Sequence, residues 1–192
     1  MKRLTRRDFM KGSLAAGAGL AMARPFSRAR GANDTIQVAV VGINGRGGSH
    51  ISAFNGMDGV RVAALCDVDR NVLARRSKPF KDRNQPVETY VDIRELLANK
   101  NIDAISIATT NHWHSLATVW GCQAGKDVYV EKPCSHNVFE GRQCVEAAAK
   151  YKRIVQHGTG SRSSSSWAKQ IAAVKSGKYG KLLVSKLSLI HI

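Results

Sequence analysis

Short apolar runs alternate with mixed polar stretches along residues 36–160, and this pattern predicts a regular series of strands and helices. The apolar runs are rich in β-branched residues, which is typical of strands buried on both faces. Strands are predicted at residues 36–41, 60–67, 87–91, 102–108, 127–130 and 153–156. Helices are predicted at residues 45–55, 70–82, 92–98, 116–125 and 138–151. Strict alternation with short connections predicts an α/β fold with a doubly wound parallel sheet, the Rossmann fold.

A turn dense in glycine follows the first predicted strand. Gly42, Gly45, Gly47 and Gly48 fall within seven positions, so the backbone there can approach another group closely. The helix that follows offers free N–H groups and a positive dipole end, which together suit a phosphate. Asn44 stands where the G-x-G-x-x-G fingerprint has its second glycine, and Asn tolerates positive φ better than most residues. The alternative is a plain glycine-rich turn without a ligand.

An acidic residue ends the second predicted strand. Asp67 lies 25 positions after Gly42, where a carboxylate can accept hydrogen bonds from the ribose diol of an adenosine. A strand, a glycine turn, a helix, a strand and an acid in this order together predict a dinucleotide site.

Polar residues also follow three later strands, at residues 109–115, 131–133 and 157–159. Ligands of open α/β sheets bind beyond the carboxyl ends of the strands. Lys132, between Glu131 and a proline, could donate a hydrogen bond to a hydroxyl or polarise an alcohol that loses a hydride. The alternative is an ordinary surface lysine. For His114 the alternative is a histidine at the start of a helix, and His112 is expected to face solvent.

Five strings in the chain resemble motifs of the Gfo/Idh/MocA oxidoreductase family, in particular the N-terminal half of its exported members. They are VGINGRG (41–47), CDVD (66–69), TNHWHS (110–115), GKDVYVEKP (125–133) and IVQHGT (154–159). The chain departs from the family pattern at Asn44 and at Thr110, where many members have proline. In the family, a second domain supplies the substrate pocket.

The resemblance implies a role for each of these positions. The pyrophosphate is implied to lie against Gly42, Asn44, Gly45, Arg46 and Gly47. Asp67 is implied to bind the adenosine ribose and Glu131 the nicotinamide ribose. Asn111 and His114 match the loop beside the cofactor. Lys132 is implied to act catalytically, where nicotinamide and substrate meet.

The resemblance further implies the cofactor and the reaction. NAD is favoured because the Asp67 carboxylate would repel a 2′-phosphate, while the nearby Arg70 leaves NADP open. The leading expectation is hydride transfer to or from a sugar, inositol or related polyol. One alternative is a glycoside hydrolase that oxidises, eliminates and reduces again. Another is a nucleotide-binding fragment without activity. The complete protein is expected to be a homo-oligomer.

The first 32 residues predict an export signal. Residues 5–11 read TRRDFMK, a twin-arginine motif, and a weakly apolar stretch rich in Gly and Ala follows it. The stretch is too short and too rich in glycine for a permanent membrane span. The twin-arginine export machinery is therefore an expected partner, and the periplasm is the expected location.

The last part of the chain predicts the beginning of another domain. Residues 33–160 are assigned to the dinucleotide-binding domain, and residues 161–192 to a linker helix and a first strand of a truncated substrate domain. The serine run at 161–166 is expected to be a solvated loop. Trp167, Ile171 and Val174 are expected on one face of the helix, and the apolar run 181–192 is expected to form the strand.

Charge and cysteine content change this picture little. Of the 30 basic and 14 acidic residues, eight basic and one acidic lie in the first 32 positions, so the remainder carries a net charge of +9. These charges are scattered and not interleaved with aromatic residues, which disfavours nucleic-acid binding. Cys66, Cys122, Cys134 and Cys144 show no metal-ligand spacing and are predicted to be small buried apolar residues.

Overall fold

The computed structural model describes residues 35–184, which form one parallel sheet with helices on both faces. The strands are β1 (Ile36–Val41), β2 (Val60–Cys66), β3 (Glu88–Tyr90), β4 (Ala104–Ile107), β5 (Asp127–Glu131) and β6 (Val155–Gly158). The helices are α1 (Arg46–Asn55), α2 (Arg70–Asp82), α3 (Ile93–Ala98), α4 (His114–Gln123), α5 (Val138–Tyr151) and α6 (Ser165–Lys175). The predicted twin-arginine segment lies outside the described residues.

The sheet has the strand order β3-β2-β1-β4-β5-β6, and every neighbouring pair is parallel. The chain moves outward from β1 to β3 on one side and then from β4 to β6 on the other. The order therefore reverses between β1 and β4, which is where open α/β sheets bind their ligands. The predicted Rossmann fold is confirmed.

Each face of the sheet carries its own apolar core, because successive strand residues point to opposite faces. Val40 packs with the cluster that includes Leu65 and Phe80, beneath α1 and α2. The next residue, Val41, packs with the cluster that includes Ile105, beneath α3, α4 and α5. The two cores fix the sheet on both sides and hold the strand ends in place.

Side-chain caps define where several helices begin. The Asp92 carboxylate accepts from the Arg94 N–H, and the Asn137 side chain accepts from the Glu140 N–H, so each side chain caps the helix that follows it. Asp69 caps α2 by accepting from the N–H groups of Asn71 and Val72. Within residues 35–184, no helix is long and apolar enough to cross a lipid bilayer.

The last strand begins later than predicted, because the end of α5 uses the preceding residues. Lys152 adopts a left-handed conformation with φ 53°, and the Arg153 N–H donates to the carbonyl of Ala148. The Ile154 N–H donates to the Asp127 carboxylate. These contacts close the helix as a left-handed cap does, so β6 starts at Val155 and not at 153.

The expectation that the serine run forms a loop was wrong. The serine run is not a loop, since residues 160–163 form a 3₁₀ turn and Ser164 caps α6 through the Trp167 N–H. On α4, the apolar side chain of Leu116 is 41% exposed. Helix α4 lies so close to the sheet that a Cβ at Gly121 would stand 2.8 Å from Ile105 Cδ1, so the side that faces the sheet carries small residues such as Ala117.

The apolar side chains of α6 share a face as predicted, but that face is exposed. Trp167, Ile171 and Val174 have 54%, 50% and 39% of their surface accessible. Residues 181–184 form no strand, and the rest of the predicted final strand lies outside the described residues.

Three of the four cysteines are buried, as predicted, and Cys134 is half-buried. Burial raises the pKa of the Cys66 thiol to about 12 and that of Cys144 to about 11. Burial also raises the pKa of the Cys122 thiol. No group of three metal-ligating side chains occurs in the described part of the chain.

We expect the folded protein at pH 8 to react with a thiol reagent at Cys134 far faster than at the three buried cysteines, since the thiolate is the nucleophile. Mass spectrometry after brief iodoacetamide treatment should find at most one modified cysteine per chain. The unfolded protein should react at all four. Rapid labelling of Cys66 in the folded protein would contradict the expectation.

Candidate cofactor site

The candidate residues gather at the carboxyl edge of the sheet, around the point where the strand order reverses. The turn after β1 lies against the end of β4, since a Cβ at Gly42 would stand 2.7 Å from the Thr109 nitrogen. Asp67 follows β2, and Glu131 is the last residue of β5. The structure therefore brings the separate sequence motifs to one edge.

The glycine turn requires glycine at two positions for different reasons. Gly42 has φ +78°, a conformation that residues with a Cβ rarely adopt. A Cβ at Gly47 would overlap the Gly42 carbonyl oxygen and lie 2.9 Å from its carbonyl carbon, so α1 packs directly on the turn. Beside Gly45, by contrast, a Cβ would meet nothing within 4 Å.

The start of α1 suits a bound phosphate. Gly45 is the N-cap residue, and no side chain caps the N–H groups of the first turn. The open space beside Gly45 adjoins these donors, and the dipole of α1 favours an anion there. The turn therefore fits the pyrophosphate of a dinucleotide.

Asp67 is fixed by two backbone donors. One carboxylate oxygen accepts from the Ile43 N–H at 2.9 Å, and the other accepts from the Asp69 N–H at 3.1 Å. Each carboxylate oxygen can accept a further hydrogen bond. The half-buried carboxylate is thus held beside the glycine turn with capacity left for a hydroxyl pair.

Asn44, the departure from the fingerprint, is held by two arginines of α2. The Arg75 guanidinium donates to the Asn44 side-chain oxygen at 2.8 Å, and Arg76 donates to its backbone carbonyl. Asn44 does not have positive φ. The side chain that replaces a glycine here therefore makes a specific contact with the neighbouring helix.

Glu131 is buried at the end of β5 and accepts several hydrogen bonds. Its Oε1 accepts from Arg46 Nε at 2.8 Å and contacts His50 Nε2 at 3.0 Å, while Oε2 accepts from the Lys132 N–H at 3.3 Å. Burial acts to raise the pKa of the Glu131 carboxyl, but the hydrogen bonds from Arg46, His50 and Lys132 outweigh it, and the pKa is lowered. Glu131 is therefore a carboxylate at neutral pH.

Sequence reasoning missed His50. Its side chain lies on the sheet-facing side of α1, 6% exposed, between Ser106 of β4 and Glu131. A sequence signal existed, because Ser106 is a polar residue inside an otherwise apolar strand and needs a buried partner.

The loop after β4 holds His114 in the interior. Its Nδ1 lies 2.6 Å from the carbonyl oxygen of Pro133, and its Nε2 lies 3.1 Å from that of Thr109. Both ring nitrogens thus contact backbone, so His114 links the loops after β4 and β5. Asn111 and His112 are exposed at the surface of the same loop.

Lys132 is exposed at the carboxyl edge, directly after Glu131. Its peptide bond to Pro133 is cis. Within residues 35–184 the ammonium group makes no hydrogen bond or ion pair. At the neighbouring end of β6, the buried Nε2 of His157 has no hydrogen-bond partner among the described residues. The polar residues that follow β4, β5 and β6 lie at the ends of adjacent strands.

Comparison with known families decides the classification. Residues 36–159 match the model of the GFO_IDH_MocA oxidoreductase family, described as an NAD-binding Rossmann fold. The chain belongs to the Gfo/Idh/MocA oxidoreductase family. Residues 3–23 match the model of the twin-arginine translocation pathway signal sequence, so the chain carries a signal for export across a membrane. The resemblance to the family and the choice of NAD as cofactor are confirmed.

Curated relatives are about twice as long as this chain. A glycosyl hydrolase family 109 protein of Shewanella baltica is 27% identical, and the match covers the whole chain but 47% of the relative. Another of Saccharopolyspora erythraea is 26% identical, over 97% of this chain and 46% of the relative. The chain therefore spans about half the length of the curated relatives that it matches.

Solved structures share the fold. Myo-inositol 2-dehydrogenase of Lactobacillus plantarum superposes with a TM-score of 0.67 and 25% identity, covering 78% of this chain and 44% of that one. Scyllo-inositol dehydrogenase of Lactobacillus casei, solved with NAD(H) and scyllo-inositol, gives a TM-score of 0.68 at 22% identity, over 77% and 43%.

Proposed function

We propose that the protein takes part in NAD(P)-dependent oxidation or reduction of a sugar, inositol or related polyol after export to the periplasm. The observation that carries the proposal is the arrangement of Asp67, the glycine turn and Glu131 around the β1–β4 switch point. These groups suit the adenosine ribose, the pyrophosphate and the nicotinamide ribose, in that order. The similarity to myo-inositol 2-dehydrogenase of Lactobacillus plantarum supports the substrate class.

The chain's own residues have separate tasks in this proposal. NAD, when bound, supplies a hydride acceptor. Asp67 and Glu131 orient the two riboses through carboxylate–hydroxyl hydrogen bonds, and the first turn of α1 binds the pyrophosphate. In the direction of reduction, Lys132 donates a hydrogen bond to the substrate carbonyl oxygen and stabilises the negative charge that develops there as the carbonyl carbon accepts the hydride.

A second candidate is a glycoside hydrolase that oxidises, eliminates the glycosidic oxygen and reduces again, and the names of the curated relatives favour it. Both candidates share the first oxidation and the same residues. The two candidates are distinguished by the products that form when nitrophenyl glycosides and inositols are offered as substrates. Net NADH with an oxidised polyol supports the dehydrogenase. Nitrophenol release without net NADH supports the hydrolase.

We expect Asp67→Asn to weaken NADH binding about tenfold and to narrow the preference for NADH over NADPH. The amide oxygen can still accept from the Ile43 N–H, while the negative charge that binds the ribose diol and repels a 2′-phosphate is lost. Fluorescence titration of the full chain with both cofactors measures this. The exposed Asp58→Asn, in the turn between α1 and β2, is the matched control.

The proposal fails if the full chain neither binds NADH in titration nor shows an NADH-dependent rise in melting temperature. Equal weakening of NADH and NADPH by Asp67→Asn would leave cofactor binding intact but would contradict the assignment of Asp67 to the ribose.

A further inference from the structure

A buried hydrogen-bonded chain reaches Glu131 from inside the sheet. Ser106 is fully buried in the middle of β4, and its Oγ lies 2.8 Å from His50 Nδ1. The other ring nitrogen, Nε2, lies 3.0 Å from Glu131 Oε1. The imidazole also packs edge-on against Tyr129 with ring centroids 5.4 Å apart, so its orientation is fixed by packing as well as by hydrogen bonds.

The partners of His50 determine its tautomer. Glu131 is ionised and can only accept, so Nε2 must carry a proton and donate to Oε1. In the neutral ring Nδ1 then accepts, and the Ser106 hydroxyl donates to it. Both hydrogen bonds therefore run in the same direction: Ser106 donates to His50, and His50 donates to Glu131.

The two oxygens of Glu131 consequently differ. Oε1 receives two donors, His50 Nε2 and Arg46 Nε, both within 3.0 Å. Within the part of the chain that the structure describes, Oε2 receives only the Lys132 N–H, at 3.3 Å. A carboxylate oxygen with one long hydrogen bond retains capacity for a strong one from a hydroxyl.

We propose that His50 is a positioning residue that holds Oε1 of Glu131 in the interior and so presents Oε2 to a hydroxyl of the nicotinamide ribose. The inference rests on the proposed function, because it gives that role to Glu131. Ser106 supports His50 from behind by fixing the tautomer that donates to Glu131. Neither His50 nor Ser106 touches the cofactor, so both act through Glu131.

The test compares two ligands that differ at the nicotinamide end. ADP contains the adenosine ribose and the pyrophosphate but lacks the second ribose, so it measures the glycine turn and Asp67 alone. The side chain of His50→Asn is shorter and can reach Ser106 but not Glu131. This variant should bind NADH about tenfold more weakly than wild type, while its affinity for ADP stays within about twofold of wild type. His50→Gln, whose amide N–H can reach Glu131, should restore most of the NADH affinity.

A merely structural role predicts a different result. His50 lies on α1, so a general disturbance of that helix would weaken ADP and NADH alike, and this outcome would overturn the inference. In a Glu131→Gln background, His50→Asn should change NADH affinity no further, and a full additional loss would also overturn it. Ser106→Ala leaves α1 untouched and should lower NADH affinity by a smaller factor than His50→Asn, with ADP affinity unchanged. This variant provides the same test if His50→Asn does not fold.

The controls separate this inference from the proposed function. If the wild-type chain binds ADP and NADH equally well and Glu131→Gln changes neither, Glu131 does not bind the second ribose and the proposed assignment fails with it. If Glu131→Gln weakens NADH selectively while every His50 variant binds like wild type, the proposed function stands and the positioning role of His50 is refuted.

Discussion

Gly47→Ala is expected to lower the free energy of unfolding by at least about 3 kcal/mol and to abolish NADH binding. The added methyl group would overlap the backbone carbonyl of Gly42, which cannot move without shifting the end of β1. Because β1 is the central strand and both cores pack on it, the strain cannot be relieved locally. Urea unfolding and NADH titration of the full chain measure the two effects.

Two further glycines of the same segment provide matched controls. Gly56 caps the other end of α1 with negative φ, and a Cβ there would meet its nearest atom at an ordinary 3.6 Å, so Gly56→Ala should change neither stability nor NADH affinity appreciably. Gly45→Ala should fold normally, because its Cβ meets nothing within 4 Å. Gly45→Ala should nevertheless weaken NADH binding, since the methyl group enters the space proposed for the pyrophosphate. A stable Gly47→Ala protein would contradict the close packing of α1 on the turn.

The order of elements was predictable from sequence because it depends on local patterns. A strand buried on both faces is mostly apolar, and apolar runs that alternate with helices leave few topologies other than a doubly wound sheet. The positions of Asp67 and Glu131 at one edge followed from that topology alone, since parallel strands end on the same side. The bounds of β6 were missed because the left-handed cap at Lys152 leaves no apolar or polar pattern.

Contacts between distant residues were not predictable in the same way. His50 and Glu131 are 81 positions apart. The exact rotation of α1 against β4 and β5 determines which polar side chain of the helix contacts Glu131. The same limit applies to Leu116, whose apolar character predicts burial, although the close approach of α4 to the sheet leaves room only for small residues there. The rotation of α1 decided the first case and the distance of α4 from the sheet decided the second, and no single-sequence pattern encodes either quantity.

In the complete protein, with its substrate domain, Lys132→Ala is expected to lower kcat by about 10²–10⁴-fold while the dissociation constant of NADH stays within about twofold of wild type. The ammonium group is exposed at the carboxyl edge and follows Glu131 directly, so it can reach a substrate oxygen without contributing to the cofactor cradle. Asp67→Ala should do the reverse, with a large loss of NADH affinity and a kcat near wild type at saturating cofactor. Steady-state kinetics with the best inositol or glycoside substrate and separate NADH titrations measure these quantities.

Lys100→Ala is the matched control, because Lys100 is also an exposed lysine and lies in the turn that leads into the amino end of β4, at the opposite edge of the sheet. It should alter neither kcat nor NADH affinity. A comparable loss of NADH affinity in the Lys132→Ala and Asp67→Ala variants would refute the division of tasks between them, since one residue would then not act on substrate independently of the cofactor. A fall in kcat for Lys132→Ala alone places the charge of this lysine at the reacting oxygen and assigns Asp67 to binding.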